Sequence, residues 1–138
     1  MAMKTIARLL LGAVLAFAGV GHLTFARDEF DAQVPNSIPL DEDLVVVVSG
    51  IVEIALGAAL MAIPRHRRVI GLVAAAFFVA VFPGNVSQYV NGVDAFTLNS
   101  DRARLIRLFF QPVLVIWALW STDALELVRE RRRRGTAR

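Results

Sequence analysis

The sequence predicts an all-α, polytopic membrane protein: an up-down bundle of four transmembrane helices with both termini cytoplasmic. Three observations predict it. Hydrophobic residues make up 57% of the 138 positions and charged ones only 20%, against about 45–50% and about 25% in a soluble domain. The apolar residues are bunched into four runs, each near the roughly 20 residues that cross ~30 Å of hydrocarbon. The cations gather beside alternate ends of these runs, while one intervening loop is strongly acidic.

The first span is expected at about residues 5–26. Lys4 and Arg8 precede its apolar run. That run of roughly eighteen residues exceeds the ~7–15 of a signal-peptide core, so it is expected to remain as a helix. Gly12, Ala16 and Gly19 fall at helical spacing and allow another helix to approach closely. The loop from Arg27 to Asp43 sets one Arg against six acids. Pro35 and Pro39 stiffen it, and Phe30, Val34 and Ile38 can dip into the interface. The second span, 44–63, reads LVVVVSGIVEIALGAALMAI, with the carboxylate of Glu53 near its middle.

Arg65, His66, Arg67 and Arg68 form a short connection to the third span, about 69–90. Pro83 has no N–H and should release the Val79 carbonyl, so a kink or break is expected there. The fourth span covers about 104–122. Trp117 and Trp120 near its end read as an interfacial belt. The basic tail 123–138 is expected to be the frayed, solvated end of that helix. Its arginines signal topology first and a contact for anionic lipid second. Almost nothing is left for a soluble unit, so residues 1–138 are read as one domain.

The composition also excludes chemistries. The chain has no cysteine, which removes disulfides, thiol relays and Cys-held iron–sulfur clusters. The net charge of +3 does not point to nucleic acid, because the cations sit at span ends.

A charge at the centre of a membrane helix costs at least roughly 2.5 kcal/mol on insertion scales, so Glu53 must face a partner or a wet cavity. At about 1.5 Å per residue, His22, Ser49, Glu53, Asn85, Gln88, Arg107 and Gln111 all fall in the half of the bundle near the acidic loop. Ser49 and Glu53 share a helix face, as do Asn85, Gln88 and Tyr89, and as do Arg104, Arg107 and Gln111. Stripes that avoid lipid must converge. The expected result is a polar pocket under the Pro35/Pro39 loop, with Arg107 as the natural partner of Glu53 and Gln111 and His22 as neighbours. No second intramembrane His exists to share a metal with His22, so no metal is expected.

Gly19-x-Gly21-His22-Leu23, Val34-Pro35, Ile38-Pro39, Ser49-Gly50-x-x-Glu53, Pro83-x-Asn85 and Arg107-x-x-x-Gln111 together resemble the DoxX/DoxD-like family of small four-helix bacterial membrane proteins. The resemblance covers nearly the whole chain. It implies the bacterial cytoplasmic membrane and a place in respiratory or redox assemblies. Some relatives there work through thiols, which this chain lacks.

The leading expectation is a pocket that binds a quinone or lipid headgroup. Arg107, Gln111 and Asn85 would donate hydrogen bonds to its oxygens, and Glu53 or His22 would exchange a proton. No self-contained catalytic centre is visible, so an accessory subunit of a quinone-linked oxidoreductase fits better than an independent enzyme. Two alternatives stand beside it. One is a structural or assembly subunit that docks a membrane-protein partner. The other is a small transporter or proton path built as a homo-oligomer.

Overall fold

The computed structural model describes residues 1–95 and 99–135, and among these it is all helical, with no strand. Four segments are long and apolar enough to cross a membrane: Ala2–Leu23, Glu42–Ala62, Pro64–Val90 and Asp101–Ser121. Helix α1 is Ala2–Leu23, and a short α2, Arg27–Asp31, lies in the acidic loop. Helix α3 is Glu42–Ala62. The third crossing consists of a 3-10 turn at Pro64–His66, α4 at Arg67–Ala80 and α5 at Phe82–Val90. Helix α6 is Asp101–Ser121, and α7 is Ala124–Gly135.

Two spans begin earlier than their apolar runs because their caps are polar. The Asp41 side chain accepts from the Leu44 N–H at the start of α3, with Glu42 and Asp43 in the first turn. The Ser100 hydroxyl does the same for Ala103 at the start of α6. A side-chain acceptor satisfies an orphan amide there, and acids favour the positive end of the helix dipole.

Helices α1 and α3 run antiparallel with their backbones almost touching. A Cβ at Gly57 would lie 2.5 Å from the Gly12 carbonyl oxygen, and one at Gly19 would lie 2.6 Å from that of Gly50. The two contacts are seven residues apart on each helix, so glycines recur on one face every two turns. The small-residue face of the first span thus finds its partner within the chain, on the second span. Beyond this pair, Leu11, Leu15, Leu60, Ala74, Phe78, Leu114 and Ala118 close a buried apolar core.

The end of the bundle that holds the chain start and α7 (the tail end) is cross-linked by charge. Lys4 and Arg67 both pair with Asp123, and Arg68 pairs with Glu126 and Glu130. Arg8 is buried and donates to the carbonyl oxygen of Leu60 in the last turn of α3. Such a carbonyl has no intrahelical partner, and a cation there suits the dipole.

Two expectations need correction. The tail is a separate helix, not the frayed end of the fourth span. Asp123 turns the chain at φ 59°, Ala124 is fully buried, and the acids of α7 hold Arg68. The break in the third span also falls earlier than expected. Helix α4 stops at Ala80, so Pro83 sits in the first turn of α5, where its missing N–H costs nothing.

Asp123 yields a pH prediction. The bond from Lys4, then that from Arg67, holds its carboxyl below the usual carboxylate range. A depressed pKa stabilises the fold above the unfolded carboxyl's value of about 3.9 and ceases to do so as pH falls through the folded value. Asp123→Asn keeps a residue that tolerates the left-handed turn and removes the charge. The difference in thermal midpoint between the parent and this variant should be constant from pH 7 to about pH 5 and shrink at lower pH. A difference that persists unchanged to pH 2.5 would show that the ion pairs do not hold α7.

Candidate functional site

At the opposite end, under the acidic loop (the loop end), the polar residues of the spans come together. Glu53 is 8% exposed and His22 also 8%. The His22 Nδ1 lies 2.8 Å from Glu53 Oε2 and 3.0 Å from the Ala18 carbonyl oxygen. Glycine explains this position. A Cβ at Gly50 would lie 2.8 Å from the Cβ of His22, so the bare backbone makes room for the imidazole. Glu53 stands three residues further along that same face.

The proton arrangement of the pair is constrained. Nδ1 carries either one hydrogen or a lone pair, whereas both of its neighbours accept. With hydrogen on Nδ1, the Ala18 carbonyl takes it, and Glu53 Oε2 lacks an aligned donor. With hydrogen on Glu53, its O–H donates to Nδ1, and the Ala18 carbonyl returns to its helical bond alone. The pair therefore has two proton positions.

A second cluster centres on Gln111, which is 2% exposed. Its Oε1 accepts from Asn85 Nδ2 at 3.1 Å and from Arg107 NH1 at 3.2 Å. Its Nε2 donates to the Phe78 carbonyl oxygen at 2.6 Å. Phe78 is in the last turn of α4, where the break leaves carbonyls without intrahelical partners. The bond goes to Phe78 where the sequence pointed to Val79, because the helix ends before Pro83 is reached.

Two cavities open among these groups. One of ≈ 450 Å³ lies under the loop, with His22, Ser49, Gln33 and Pro35 in its walls. The other, of ≈ 280 Å³, lies deeper and is lined by Glu53, Arg107, Gln111, Phe78 and Leu15 among others. Phe30 and Val81 line both. The Phe30 ring stacks on His22 with centroids 3.3 Å apart at 14°, so the residue common to both cavities is held by the imidazole.

Six of the seven expected residues thus join one constellation. His22 and Ser49 face the upper cavity, Glu53, Arg107 and Gln111 face the lower one, and Asn85 braces Gln111. Gln88 stands apart. It is 1% exposed, lines neither cavity and accepts from Gln33 of the loop at 3.1 Å. Arg107 forms no ion pair with Glu53 among the described residues; the Glu53 carboxylate turns to His22, and the two opposite charges share the lower cavity without meeting. Arg104, which shares the helical stripe of Arg107, instead binds Asp94, Asp101 and the Val93 carbonyl. Sequence reasoning missed Gln33, a lone amide in a loop whose pattern carries no signal. It also missed the role of Phe30, whose place depends on the short helix α2.

The His22–Glu53 contact predicts coupled stability. His22→Leu and Glu53→Leu each strand a buried polar partner, an effect commonly of about 3–5 kcal/mol for a buried pair. The double variant should be less destabilised than the sum of the singles by at least about 1 kcal/mol, read from thermal unfolding in detergent. Strict additivity would show that the two side chains do not interact.

A family model described as a domain of unknown function, DUF8561, matches residues 11–122. No curated protein and no solved structure matches the chain.

Proposed function

The chain belongs to the DUF8561 family, and we propose that it is a multi-pass membrane protein whose loop-end cavity binds the polar head of an amphipathic, lipid-soluble molecule. One observation carries this reading. Gln111 and Phe78 line the lower cavity, which holds Glu53 and Arg107, and also an apolar groove of ≈ 310 Å³ with Val79, Phe82, Pro112, Val115 and Ile116. A largely apolar chamber with three polar groups in its wall and an apolar groove that shares that wall suit a ligand with a head and a chain.

The head would be a quinone ring or a lipid headgroup. A ring carbonyl would accept from Arg107, and the His22–Glu53 pair would exchange a proton with it. Electrons for its reduction would come from another subunit. This is the role that the resemblance to the DoxX/DoxD-like family implies. In that setting the protein would sit in the bacterial cytoplasmic membrane with its basic tail end inside.

A second reading is favoured by a different observation. Asn85, Arg107, Gln111 and the Phe78 carbonyl already bond to one another. Such a network can serve only to lock helices together, as in an assembly subunit.

Mass spectrometry of the detergent-purified chain separates the two. The binding reading expects a co-purifying quinone or lipid near one per chain, reduced about tenfold or more in Arg107→Leu and Glu53→Leu proteins that remain folded. A chain with no retained small molecule and a stoichiometric second protein would replace that reading with the assembly one. Orientation is tested apart from this. Because the chain has no cysteine, Asn36→Cys and Gly135→Cys each introduce a single thiol. In intact cells an impermeant maleimide should label position 36 and not position 135; the reverse pattern would overturn the orientation.

A further inference from the structure

We propose that Phe30 is a gate between the upper cavity, open to water, and the lower cavity, carried on a lid formed by α2 and the residues after it and latched by Gln33 on Gln88. The two cavities face different surroundings. The upper one has the loop residues Val34, Pro35 and Ile38 in its wall, so it lies at the aqueous end of the spans. The lower one has Val14 and Phe110 in its wall, both exposed on the flanks of their spans, so it faces hydrocarbon. The cavities adjoin at one place. His22 lines the upper and Glu53 the lower, and these side chains lie 2.8 Å apart. Phe30 borders both cavities, with its ring laid on the imidazole. Withdrawal of that ring would join the two volumes beside Glu53.

The lid is lightly held. No residue of α2 is buried, so little apolar burial opposes its displacement, the property of segments that open locally. On one side Arg27 Nε donates to Asp43 Oδ1 at 2.7 Å, and an exposed ion pair of this kind holds weakly. On the other side Gln33 Nε2 donates to Gln88 Oε1 at 3.1 Å. Gln88 is 1% exposed, and its Nε2 has no partner among the described residues. Loss of the Gln33 bond would therefore strand a buried amide, which makes this tie the stronger latch. Phe30 stands between the two ties in the chain. The latch gives Gln88, which lines neither cavity, a part in access to Glu53. The gate controls entry to the cavity on which the proposed function rests, but it concerns water and small polar solutes and holds whether or not a ligand binds there.

Because the chain has no cysteine, single thiols report on each place in turn. Ser49→Cys stands in the wall of the upper cavity and Ala18→Cys in that of the lower one. Ala74→Cys stands in the core, at a fully buried position. The full chain in nanodiscs is treated with a small, permanently charged methanethiosulfonate, which does not cross hydrocarbon and reaches Ala18→Cys past Phe30. Phe30→Ala should raise the reaction rate of Ala18→Cys at least about ten-fold, since both the ring and its stack are lost. Gln33→Ala leaves the ring in place and should raise it about five-fold, the effect of one hydrogen bond on an opening equilibrium. Ser49→Cys should already react in the parent and be unaffected by Phe30→Ala, and Ala74→Cys should stay unreactive. Unchanged Ala18→Cys rates in both variants would overturn the gate. Equal acceleration at Ser49→Cys would move the barrier to the mouth of the upper cavity and overturn its assignment to Phe30. Equal acceleration at Ala74→Cys would replace the gate with general loosening of the bundle. Acceleration by Phe30→Ala alone would overturn the latch.

Discussion

The close approach of α1 to α3 at Gly19 and Gly50 is the contact on which the site depends. A membrane interior gives helices little hydrophobic reason to associate, so backbone proximity and interhelical bonds must do it. Gly50 serves both ends at once. Its missing side chain lets the Gly19 backbone approach and also leaves the space that the His22 side chain occupies. His22 follows Gly19 by three residues, and Glu53 follows Gly50 by three. The helical repeat therefore puts the titratable pair on the face that the glycines bring together. Any side chain at Gly50 would move His22 away from Glu53, so the helix contact and the His22–Glu53 pair cannot vary independently here.

The second organising element is the break in the third crossing. At membrane depth an unsatisfied carbonyl costs several kcal/mol, by about the amount of a lost hydrogen bond in hydrocarbon. The end of α4 at Ala80 creates such carbonyls, and Gln111 answers one of them at Phe78. With its nitrogen committed there, the Gln111 oxygen is left to accept, and both Asn85 and Arg107 donate to it. The orientation of the amide is thus decided by chemistry, since a guanidinium has no lone pair to offer in exchange. The break between α4 and α5 fixes where Arg107 is held.

Hydropathy and charge placement made the four spans legible, because both depend on depth, which the sequence encodes directly. Shared faces were legible too, because helical geometry places residues three and four apart together. Partner choice was not. Arg107 and His22 lie at similar depths, and what separates them as partners of Glu53 is how closely each helix approaches α3. Glycines on α1 and α3 set that distance, and the matching of Gly12 with Gly57 and Gly19 with Gly50 appears only when the antiparallel register is known. Arg8 was read as a flanking charge because its position marks a span end. Its burial against Leu60 requires knowing that α3 ends beside it. The docking of α7 was hidden for a similar reason: a run of arginines reads as solvated until Arg68 is found opposite Glu126 and Glu130.

The two ends of the bundle differ in what they leave open. At the tail end each acid meets a cation, Arg8 completes a helix terminus, and the groove beside them is wholly apolar. At the loop end Glu53 turns to His22 and Arg107 turns to Gln111, so the two charges that line the lower cavity do not neutralise each other by contact. A molecule in that cavity therefore meets a cationic donor on one wall and a carboxylate, or a carboxyl proton, on the other. Pure hydrocarbon would leave both groups facing an apolar neighbour, which is costly for buried charge. A simple anion would answer Arg107 and oppose Glu53, and a simple cation would do the reverse. An occupant that satisfied both walls would carry an acceptor on one side and an exchangeable hydrogen on the other.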